Sequence, residues 1–472
     1  MIKKSVLFIA ICGLFFITGC HQNTTKTDDN TTDMTFTGAT GEVKIMTLNP
    51  GHFHAALVQK YQYDQVDSVV HIYAPDGPEL EDHLERIKSY NQRDEEPTNW
   101  DSRVHTSPDY LQKMIQERPG NVVVISGNNA QKTNYIQSSI EAGLNVLADK
   151  PMAIKPADFN SLQAIFPMAE ENGVLLYDIM TERYEITTMM QKALSRIPEV
   201  FGELEKGSVE SPAITKESVH HFFKYVSGKP LTRPAWFFDV EQQGEGIVDV
   251  ATHLVDLVFW ECFPEKVIDY EQDIEILATK RWPTELSPEQ FTKVTGLPAF
   301  PDYLQKDIAD DTLNVYSNGE IIFAVNGVHA KVSVIWNYQA PEGAADTHFS
   351  IMRGTKANLV IRQGADQNYK PILYVEPVNE TEAAALAGTL PAAIEKLAVE
   401  YPGLSYQEAD NGWEILIPDE YKVGHEAHFA QVTEKYLQYL IDGKLPSWEV
   451  PNMLAKYYVT TKAYELSRKD QQ

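Results

Sequence analysis

The sequence predicts an α/β protein in which an N-terminal Rossmann-like, doubly wound parallel sheet is followed by an α+β domain with a large, mostly antiparallel open sheet. Short apolar strands alternate with helical segments over the first third of the chain, an order typical of parallel βαβ units. Strands predominate further along. The length of 472 residues also favours more than one domain. We therefore predict a Rossmann-like domain over residues 43–165 and a second domain, for substrate and oligomerisation, over residues 166–472.

The predicted elements of the first domain end at turns that carry polar residues. The first strand runs into Asn49-Pro50-Gly51 and the second into Ala74-Pro75-Asp76-Gly77. Ligands of parallel sheets bind at the carboxyl ends of the strands, so these turns are candidate binding loops. The predicted strands are 43–48, 68–73, 121–126 and 145–149, and the predicted helices are 53–62, 79–90, 108–117 and 131–142, with a polar loop between the second and third helices.

The second domain is predicted from a change in pattern. Its first part continues the alternation, and Ser317-Asn318-Gly319 has the composition of a tight turn between two strands. The predicted helices are 156–172, 186–195, 380–400 and 424–440, and the predicted strands are 174–178, 273–279, 312–316, 320–326, 330–338 and 357–362.

The N-terminus has the pattern of a bacterial lipoprotein signal over residues 1–20. Lys3 and Lys4 precede an apolar run over residues 6–17, and Cys20 follows as the expected lipidation site. The run is shorter than a membrane-spanning helix requires, which weakens that alternative. Residues 21–42 are rich in Thr, Asn and Asp and predict a flexible tether. We expect an exported lipoprotein, anchored through its lipid on the periplasmic or the outer, cell-surface side.

The charge of the chain argues against nucleic acid as a partner. With 67 acidic and 40 basic residues, the formal net charge is −27, which repels phosphate backbones. Cys262 is the one cysteine beyond the signal region and is expected to be a core residue.

Residues 244–260, GEGIVDVATHLVDLVFW, are predicted to form a buried helix with a functional face. Asp249, His253 and Asp256 fall at i, i+4 and i+7, on one narrow arc, and apolar residues cover most of the remaining surface. Burial of two carboxylates and an imidazole costs several kcal/mol unless they are paired or face a polar cavity. The pattern therefore favours a site over a solvated stripe.

The loop after the first strand is a poor dinucleotide fingerprint. Of the three glycines of G-x-G-x-x-G, the segment ending in Asn49-Pro50-Gly51 keeps only the last. Asp76 stands where an acid binds ribose hydroxyls, although turn chemistry explains it equally well. His52 and His54 suggest a metal, but no third ligand lies nearby in the sequence. Exposed imidazoles at a helix start are the preferred explanation, and we predict no metal site.

Asp149, Lys150 and Pro151 stand at the carboxyl end of a central predicted strand. This position favours a role for Lys150 in substrate or cofactor contact over that of a solvated loop residue.

Three ordered segments resemble the glucose-fructose oxidoreductase and inositol dehydrogenase family, Gfo/Idh/MocA. NVVVISGNNAQKTNYIQSSIEAGLNVLADKPMAI resembles the family's segment from the third strand to "EKP", with Asp149 in place of Glu. LLYDIMTERYEITT resembles the opening of its second domain, and GEGIVDVATHLVDLVFW its "GGG…D…H…D" helix. The phosphate loop departs from the family, as does Ser126-Gly127-Asn128-Asn129-Ala130-Gln131 in place of "TPN..H".

The resemblance implies an NAD(P)-dependent oxidoreductase that acts on a saccharide. It implies Lys150, Asp249 and His253 as the catalytic set, with His253 as acid/base, oriented by Asp249, and Lys150 stabilising alkoxide charge. Candidates for substrate contact are Lys224, Trp236 and Asp256, with His220, His221 and Phe237 nearby, although Asp256 is better suited to supporting the helix or the imidazole. The candidates for cofactor contact are Asn49, Pro50, Gly51, His52, Phe53, Asp76, Gly127, Asn128, Gln131, Asp149, Lys150 and Pro151.

Export of an unfolded chain implies that NAD or NADP is captured outside the cytoplasm and held tightly. That favours closed redox cycles, such as epimerisation, exchange between two sugars or glycosidic cleavage through a ketone. One alternative is a glycan-binding surface lipoprotein with a degenerate nucleotide site. A metal-dependent hydrolase using Asp249 and His253 ranks lowest. A homo-oligomer is possible.

Overall fold

The computed structural model describes residues 35–226, 229–341 and 344–469. The predicted signal, the lipidation site Cys20 and residues 21–34 of the predicted tether lie outside the described residues. Within the described ranges, no helix is both long and apolar enough to cross a membrane.

The described end of the predicted tether is packed against the body of the protein. Phe36 is buried in the core of the first domain. The amides of Thr37 and Gly38 donate to the Glu42 carboxylate at 2.8 and 2.6 Å. The prediction of a flexible tether is therefore wrong for residues 35–42, because an aromatic anchor holds them.

Six parallel strands form the sheet of the first domain, in the order β3-β2-β1-β4-β5-β6. This order is that of dinucleotide-binding doubly wound sheets and confirms the predicted Rossmann-like architecture. The elements are β1 Ile45–Leu48, α1 His54–Leu57, β2 Val69–Ala74, α2 Pro78–Gln92, β3 Asp101–Thr106, α3 Tyr110–Glu117, β4 Val122–Ile125, α4 Lys132–Glu141, β5 Asn145–Asp149, α5 Pro156–Glu171 and β6 Leu176–Ile179.

The first domain differs from the prediction at three points. The predicted polar loop contains β3, an edge strand whose side chains are largely exposed and so lack an apolar pattern. α1 ends at Leu57, well short of the predicted residue 62. β6 pairs in parallel with β5, so the predicted boundary at residue 165 is too early and the sheet extends to Ile179.

The second domain is built on a ten-stranded sheet in the order β10-β12-β13-β7-β14-β15-β16-β18-β17, with β11 paired to β12. Every pairing is antiparallel except that of β13 with β7, which confirms the predicted mostly antiparallel sheet. The elements are α6 Ile186–Ser195, β7 Ile214–Phe223, β8 Tyr225–Val226, β9 Lys229–Pro230, α7 Val240–Gln243, α8 Ala251–Cys262, β10 Ile274–Leu286, α9 Pro288–Thr295, β11 Ile308–Ala309, β12 Thr312–Val325, β13 Val328–Gln339, β14 Thr347–Arg353, β15 Ala357–Arg362, β16 Ile372–Pro377, α10 Glu380–Leu397, β17 Ser405–Ala409, β18 Gly412–Leu416, α11 His425–Asp442 and α12 Glu449–Lys469.

The predicted turn at Ser317-Asn318-Gly319 lies inside the continuous strand β12. The Asn318 amide donates to the carbonyl of Trp282 at 3.1 Å and accepts from the amide of Trp336 at 2.7 Å, which ties it to both neighbouring strands. A Cβ on Gly319 would lie 2.7 Å from Cβ of Ile247. The glycine therefore serves close packing under the segment before α8, not a turn.

The C-terminal helices join the two domains. α11 packs its buried residues, Phe429 and Tyr436 among them, into the core of the first domain. α12 contributes Met453 and Tyr457 to that core and Val459 to the core of the second domain. Buried apolar contacts on both sides thus fix the relative position of the sheets around the site.

Candidate functional site

An ion pair between Lys150 and Asp249 connects the two domains. Lys150 follows the carboxyl end of β5, and its Nζ lies 2.8 Å from Oδ1 of Asp249. The other carboxylate oxygen, Oδ2, accepts from Nε2 of Gln243 at 2.9 Å. Both charged side chains are almost fully buried, so each supplies the charge that the other needs.

Asp249 lies in an irregular turn before the helix. The prediction of one helix over residues 244–260 is wrong in its first part, because α8 begins at Ala251. Gly244 has a φ of +95°, and a Cβ on Gly246 would lie 1.7 Å from the carbonyl oxygen of Ser317. The chain passes this close to β12 only without side chains, and this approach directs Asp249 toward Lys150.

His253 occupies the first turn of α8 as a neutral imidazole. Burial, and then the positive charge of Lys150, hold its pKa well below the usual 6.5. Its Nδ1 is buried with no hydrogen-bond partner in the described part of the chain. The two oxygens of Asp249 accept from Lys150 and Gln243, and the described residues show no hydrogen bond between Asp249 and His253.

Asp256 belongs to a buried ion-pair network. Its two oxygens accept from Nε and Nη2 of Arg183, each at 2.7 Å, and Oδ1 also accepts from Nζ of Lys456 at 3.0 Å. Arg183 and Lys456 also pair with Glu449 and Asp178, both at 2.7 Å. Burial raises the pKa of the Asp256 carboxyl, but the two cations more than offset this and lower it. We therefore assign Asp256 a supporting role, which replaces the candidate role in substrate contact.

The backbone N–H groups of the loop after β1 donate hydrogen bonds to other parts of the protein. The amide of Asn49, whose φ is +47°, donates to the carbonyl of Tyr73 at 2.8 Å. The amides of Gly51 and His52 donate to the carbonyl of Ser126 at 3.2 and 3.4 Å, and Pro50 has no amide hydrogen. This loop consequently offers a phosphate fewer free donors than a loop with three glycines does.

Gly127 lets the loop after β4 approach the loop after β1. A Cβ on Gly127 would lie 2.6 Å from the carbonyl oxygen of Asn49, whereas a Cβ on Gly51 would meet its nearest neighbour at 3.4 Å. The side-chain amide of Asn128 donates to Oε1 of Gln242 at 2.6 Å, and that of Asn129 to the carbonyl of Gln243 at 2.7 Å. Two asparagines thus attach the segment before Asp249 to the first domain.

A cleft of about 170 Å³ opens at the carboxyl ends of β1 and β2. Asp76 is exposed there, and Trp236, predicted to contact substrate, lies on this side, with its Cζ2 3.6 Å from the Cβ position of Gly51. The lining residues are Asn49, Pro50, Gly51, Ala74, Pro75, Asp76, Gly77, Glu79, Leu80, Asn128 and Trp236.

The cleft fits a nicotinamide nucleotide at the ribose better than at the pyrophosphate. The Asp76 carboxylate is free to accept hydrogen bonds from ribose hydroxyls, and Gly51 has no side chain that would keep a ligand away from its backbone. At the pyrophosphate, side chains such as those of Asn49 and Asn128 border the cleft where the loop amides are already paired.

Asp149 anchors a polar cluster behind this cleft. Its Oδ2 accepts from Oγ of Ser126 at 2.9 Å and lies 3.0 Å from Nδ1 of His54 and 3.9 Å from Nδ1 of His52. Nζ of Lys132 donates to the Asp149 carbonyl at 2.8 Å, and burial lowers the pKa of Lys132 to about 8. The interpretation of His52 and His54 as exposed imidazoles without a third ligand is wrong, because the fold brings Asp149 to them from ninety-five residues away.

The remaining predicted cofactor residues lie around this cluster. Phe53 packs against the first core with its ring under the guanidinium of Arg86, 5.6 Å away. Gln131 is exposed at the start of α4, and Pro151 is buried after a cis peptide bond with Lys150. Neither Phe53 nor Gln131 lines the cleft.

Lys224 directly follows β7 and belongs to a group of basic residues around Asp346. It forms an ion pair with Asp346, and the same carboxylate lies 3.0 Å from Nδ1 of His220 and 3.4 Å from Nδ1 of His221. The ring of His220 stacks on Trp336, which lines a small cavity together with Asp249. The end of β7 with His220, which shares Asp346 with Lys224, thus borders the region of the Lys150–Asp249 pair.

Three residues of this region escaped the sequence analysis. Arg233 donates to the carbonyls of Phe222 and His221, each at 3.0 Å, and burial lowers its pKa to about 10. Burial, and then the charge of Glu185, raise the pKa of Glu182 to about 7. Gln243 holds Asp249. Only Glu182, inside a segment that resembles the family, carried a signal that a closer reading of the sequence would have used.

Comparisons with known proteins identify both domains. The model of the oxidoreductase family with an NAD-binding Rossmann fold matches residues 46–178, and the model described as "putative oxidoreductase C terminal domain" matches residues 190–468. A crystal structure of a "putative oxidoreductase" from Parabacteroides merdae is 58% identical, with a TM-score of 0.91, over 92% of this chain and 100% of that one. No curated protein matches the chain.

More distant solved structures share the fold. A levoglucosan dehydrogenase, solved with NADH and levoglucosan, is 13% identical over 91% of this chain and 98% of its own, with a TM-score of 0.57. A 3-ketoreductase from Actinomadura kijaniata, solved with NADP, is 12% identical over 89% and 95%, with a TM-score of 0.53. From the two family models and the close solved structure, the chain belongs to the Gfo/Idh/MocA family of NAD(P)-dependent oxidoreductases.

Proposed function

We propose that the protein transfers a hydride between a carbinol carbon of a saccharide and NAD or NADP held between its two domains. The observation that carries the proposal is the buried pair of Lys150 and Asp249, 2.8 Å apart, beside the neutral imidazole of His253. Such a set provides a fixed cation and a base at the carboxyl edge of a Rossmann sheet, where ligands bind.

His253 takes the proton of the reacting hydroxyl in this proposal. Its depressed pKa keeps the imidazole in the basic form near pH 7. Nδ1 of His253 has no hydrogen-bond partner among the described residues, so the ring is not committed to another side chain through that nitrogen.

Lys150 stabilises the developing alkoxide charge. Asp249 fixes the ammonium group from the second domain, and Gln243 fixes Asp249 in turn, so the cation is oriented before substrate arrives. A bound nicotinamide supplies the chemistry that these residues lack, since it accepts the hydride or returns it.

A saccharide substrate is supported by the site's surroundings and by fold relatives. Trp336 of β13, His220 of β7 and Lys224, which follows β7, border the region of the ion pair and suit a sugar ring with several hydroxyls. The levoglucosan dehydrogenase described above was solved with levoglucosan, a molecule of the class that we propose.

We also propose a closed redox cycle in an exported, lipid-anchored enzyme. A nucleotide scarce outside the cytoplasm serves best when it is reduced and reoxidised without leaving, as in epimerisation, sugar–sugar exchange or glycosidic cleavage. Replacement of Cys20 by Ala should move the protein from the membrane fraction to the soluble fraction and abolish labelling by a fatty-acid analogue. Unchanged membrane association and labelling would contradict the anchor.

The proposed activity is tested by incubating the purified protein with NAD or NADP and a panel of saccharides, with nucleotide absorbance and sugar products as readouts. His253→Asn should lower turnover roughly 10²- to 10⁴-fold with little change in nucleotide affinity. The matched control is His83→Asn, a buried histidine of α2 remote from the site. Equal turnover in the His253 variant would refute the assigned role.

A second candidate function, glycan binding with a degenerate nucleotide site, is favoured by one observation. The amides of Asn49, Gly51 and His52 are bonded within the protein. A binder of this kind would give heat with a glycan and none with NAD or NADP in calorimetric titrations, whereas the proposed enzyme requires heat with a nucleotide.

A further inference from the structure

Two histidines and an aspartate converge behind the cofactor cleft. His52 and His54 follow the loop after β1, and Asp149 ends β5. The carboxyl ends of these two parallel strands, with β4 between them, lie at the same edge of the sheet and bring the three residues together. One ligand atom from each residue lies within 4.8 Å of the other two. Their side chains are 22%, 12% and 7% exposed, so the group is shielded from water yet still reachable.

We propose that Nδ1 of His52, Nδ1 of His54 and Oδ2 of Asp149 bind one divalent transition-metal ion of the Zn²⁺ class. Ligands about 2.0–2.1 Å from a tetrahedral Zn²⁺ are separated from one another by roughly 3.4 Å. The observed separations from Asp149 Oδ2 are 3.0 Å for His54 and 3.9 Å for His52, on either side of this value. Both separations from the carboxylate therefore lie within about 0.5 Å of the tetrahedral value.

Two of the three ligand side chains, those of Asp149 and His54, have outer contacts of the kind that metal ligands make. Oγ of Ser126 donates to Asp149 at 2.9 Å and fixes the carboxylate, as outer-shell partners of metal ligands do. On the far side of His54, Nε2 lies 3.2 Å from Nε2 of His425. When a metal replaces the proton on Nδ1 of His54, the neutral ring carries its proton on Nε2 and donates it to His425, so the hydrogen bond between the two histidines is kept while the metal replaces the contact with Asp149.

The two lysine ammonium groups near the cluster do not pair with the Asp149 carboxylate, so they oppose a bound cation less than the sequence suggests. The ammonium of Lys150 is paired with Asp249, 2.8 Å away. Lys132 directs its Nζ to the carbonyls of Asp149 and Lys150 rather than to the carboxylate. Asp149 thus retains its negative charge for the ion, and three protein ligands leave a fourth position for water or another oxygen donor.

The site is distinct from the proposed hydride-transfer group. Among the described residues, the group that could bind a metal consists of His52, His54 and Asp149. It includes neither Asp249 nor His253. Failure of the metal proposal leaves nucleotide binding untouched, and the two are measured separately.

The test titrates the full-length protein, stripped with a chelator, with Co²⁺ alone and follows the visible ligand-field bands, whose intensity separates four-coordinate from six-coordinate ions. We expect one Co²⁺ per chain with intense, four-coordinate bands that Zn²⁺ displaces. His52→Asn should abolish these bands, and His425→Ala should weaken affinity by roughly tenfold to a hundredfold. Thermal unfolding without metal establishes that each variant is folded, and Asp149→Asn serves as a second ligand variant.

The matched control is the double variant His71→Ala, His105→Ala. These two histidines lie 3.0 Å apart on β2 and β3, with Glu117 3.6 Å from His105, and they form a histidine pair outside the proposed site. The control should bind Co²⁺ as the unmodified protein does. Absence of binding at micromolar Co²⁺, weak six-coordinate bands only, or full binding by the folded His52 and Asp149 variants would overturn the proposal.

Discussion

Replacement of Asp256 by Asn tests whether this residue holds the fold together or contacts substrate. The substitution keeps the shape of the side chain and removes its charge. In the structure the carboxylate accepts three hydrogen bonds of 2.7–3.0 Å from Arg183 and Lys456, and all three side chains are at most 7% exposed. Loss of one partner from a buried ion pair costs about 3–5 kcal/mol.

The network sets where in that range the loss should fall. After the substitution Arg183 still pairs with Glu449, and Lys456 still pairs with Asp178, so neither cation is left alone. We therefore expect the free energy of unfolding in urea to fall by about 3 kcal/mol, the lower end of the range. Nucleotide affinity measured by calorimetry should stay within about twofold, less than the tenfold that 1.4 kcal/mol represents.

The control for this experiment is Glu271→Gln, an exposed carboxylate in the same domain. It should change the free energy of unfolding by no more than about 0.5 kcal/mol. A loss below about 1 kcal/mol in Asp256→Asn, the size of a surface pair, would refute the reasoning, since the network would then contribute nothing beyond solvated charges.

Further predictions concern the loops and the titrating groups of the site. Gly127→Ala should lower the free energy of unfolding in urea, because its Cβ would lie 2.6 Å from the Asn49 carbonyl, whereas Gly51→Ala, at 3.4 Å, should change it far less; equal effects would contradict the packing argument. Glu182, whose pKa burial raises from 4.5 to about 7, contributes stability that is present below pH 4.5 and lost as the pH rises through about 7. Glu182→Gln should lack this loss in urea unfolding at a series of pH values, and parallel profiles would contradict it. Because the pKa of His253 lies well below 6.5, turnover in the oxidation direction should not fall between about pH 8 and about pH 6.5, and a midpoint near 6.5 would contradict a buried neutral base.

The fold was predictable where the pattern of apolar residues is typical of the helix or strand that forms. The strands that became β1, β2, β4 and β5 are short apolar runs between turns, and burial on both faces gives parallel strands that pattern. β3 lacked it because an edge strand with exposed side chains reads as a polar loop.

Tertiary packing decided the elements that the sequence misrepresents. Ser317-Asn318-Gly319 has turn composition, yet Asn318 bridges two strands and Gly319 accommodates Ile247. α8 starts later than its apolar pattern suggests because Gly246 must lie against the Ser317 carbonyl. When the neighbour that requires a glycine is distant in the sequence, the local sequence carries no signal of that requirement.

The candidate site was predictable in its members and not in its pairings. Lys150 and Asp249 were singled out from separate motifs, and the structure brings them to 2.8 Å. Helical spacing suggested that Asp249 serves His253, but in the structure its carboxylate accepts from Lys150, 99 residues away, and from nearby Gln243. Asp256 shows the same effect, because its partners Arg183 and Lys456 are 73 and 200 residues away.

The most direct test of the central claim is the binding of a nicotinamide nucleotide by the purified full-length protein. Calorimetric titration with NAD and with NADP, together with mass spectrometry of any nucleotide released on denaturation, measures it. The account predicts saturable heat or a released nucleotide in a one-to-one ratio, and weaker binding in Asp76→Ala, which removes the free carboxylate of the cleft. No released nucleotide, and no heat with either nucleotide at millimolar concentration, would contradict it.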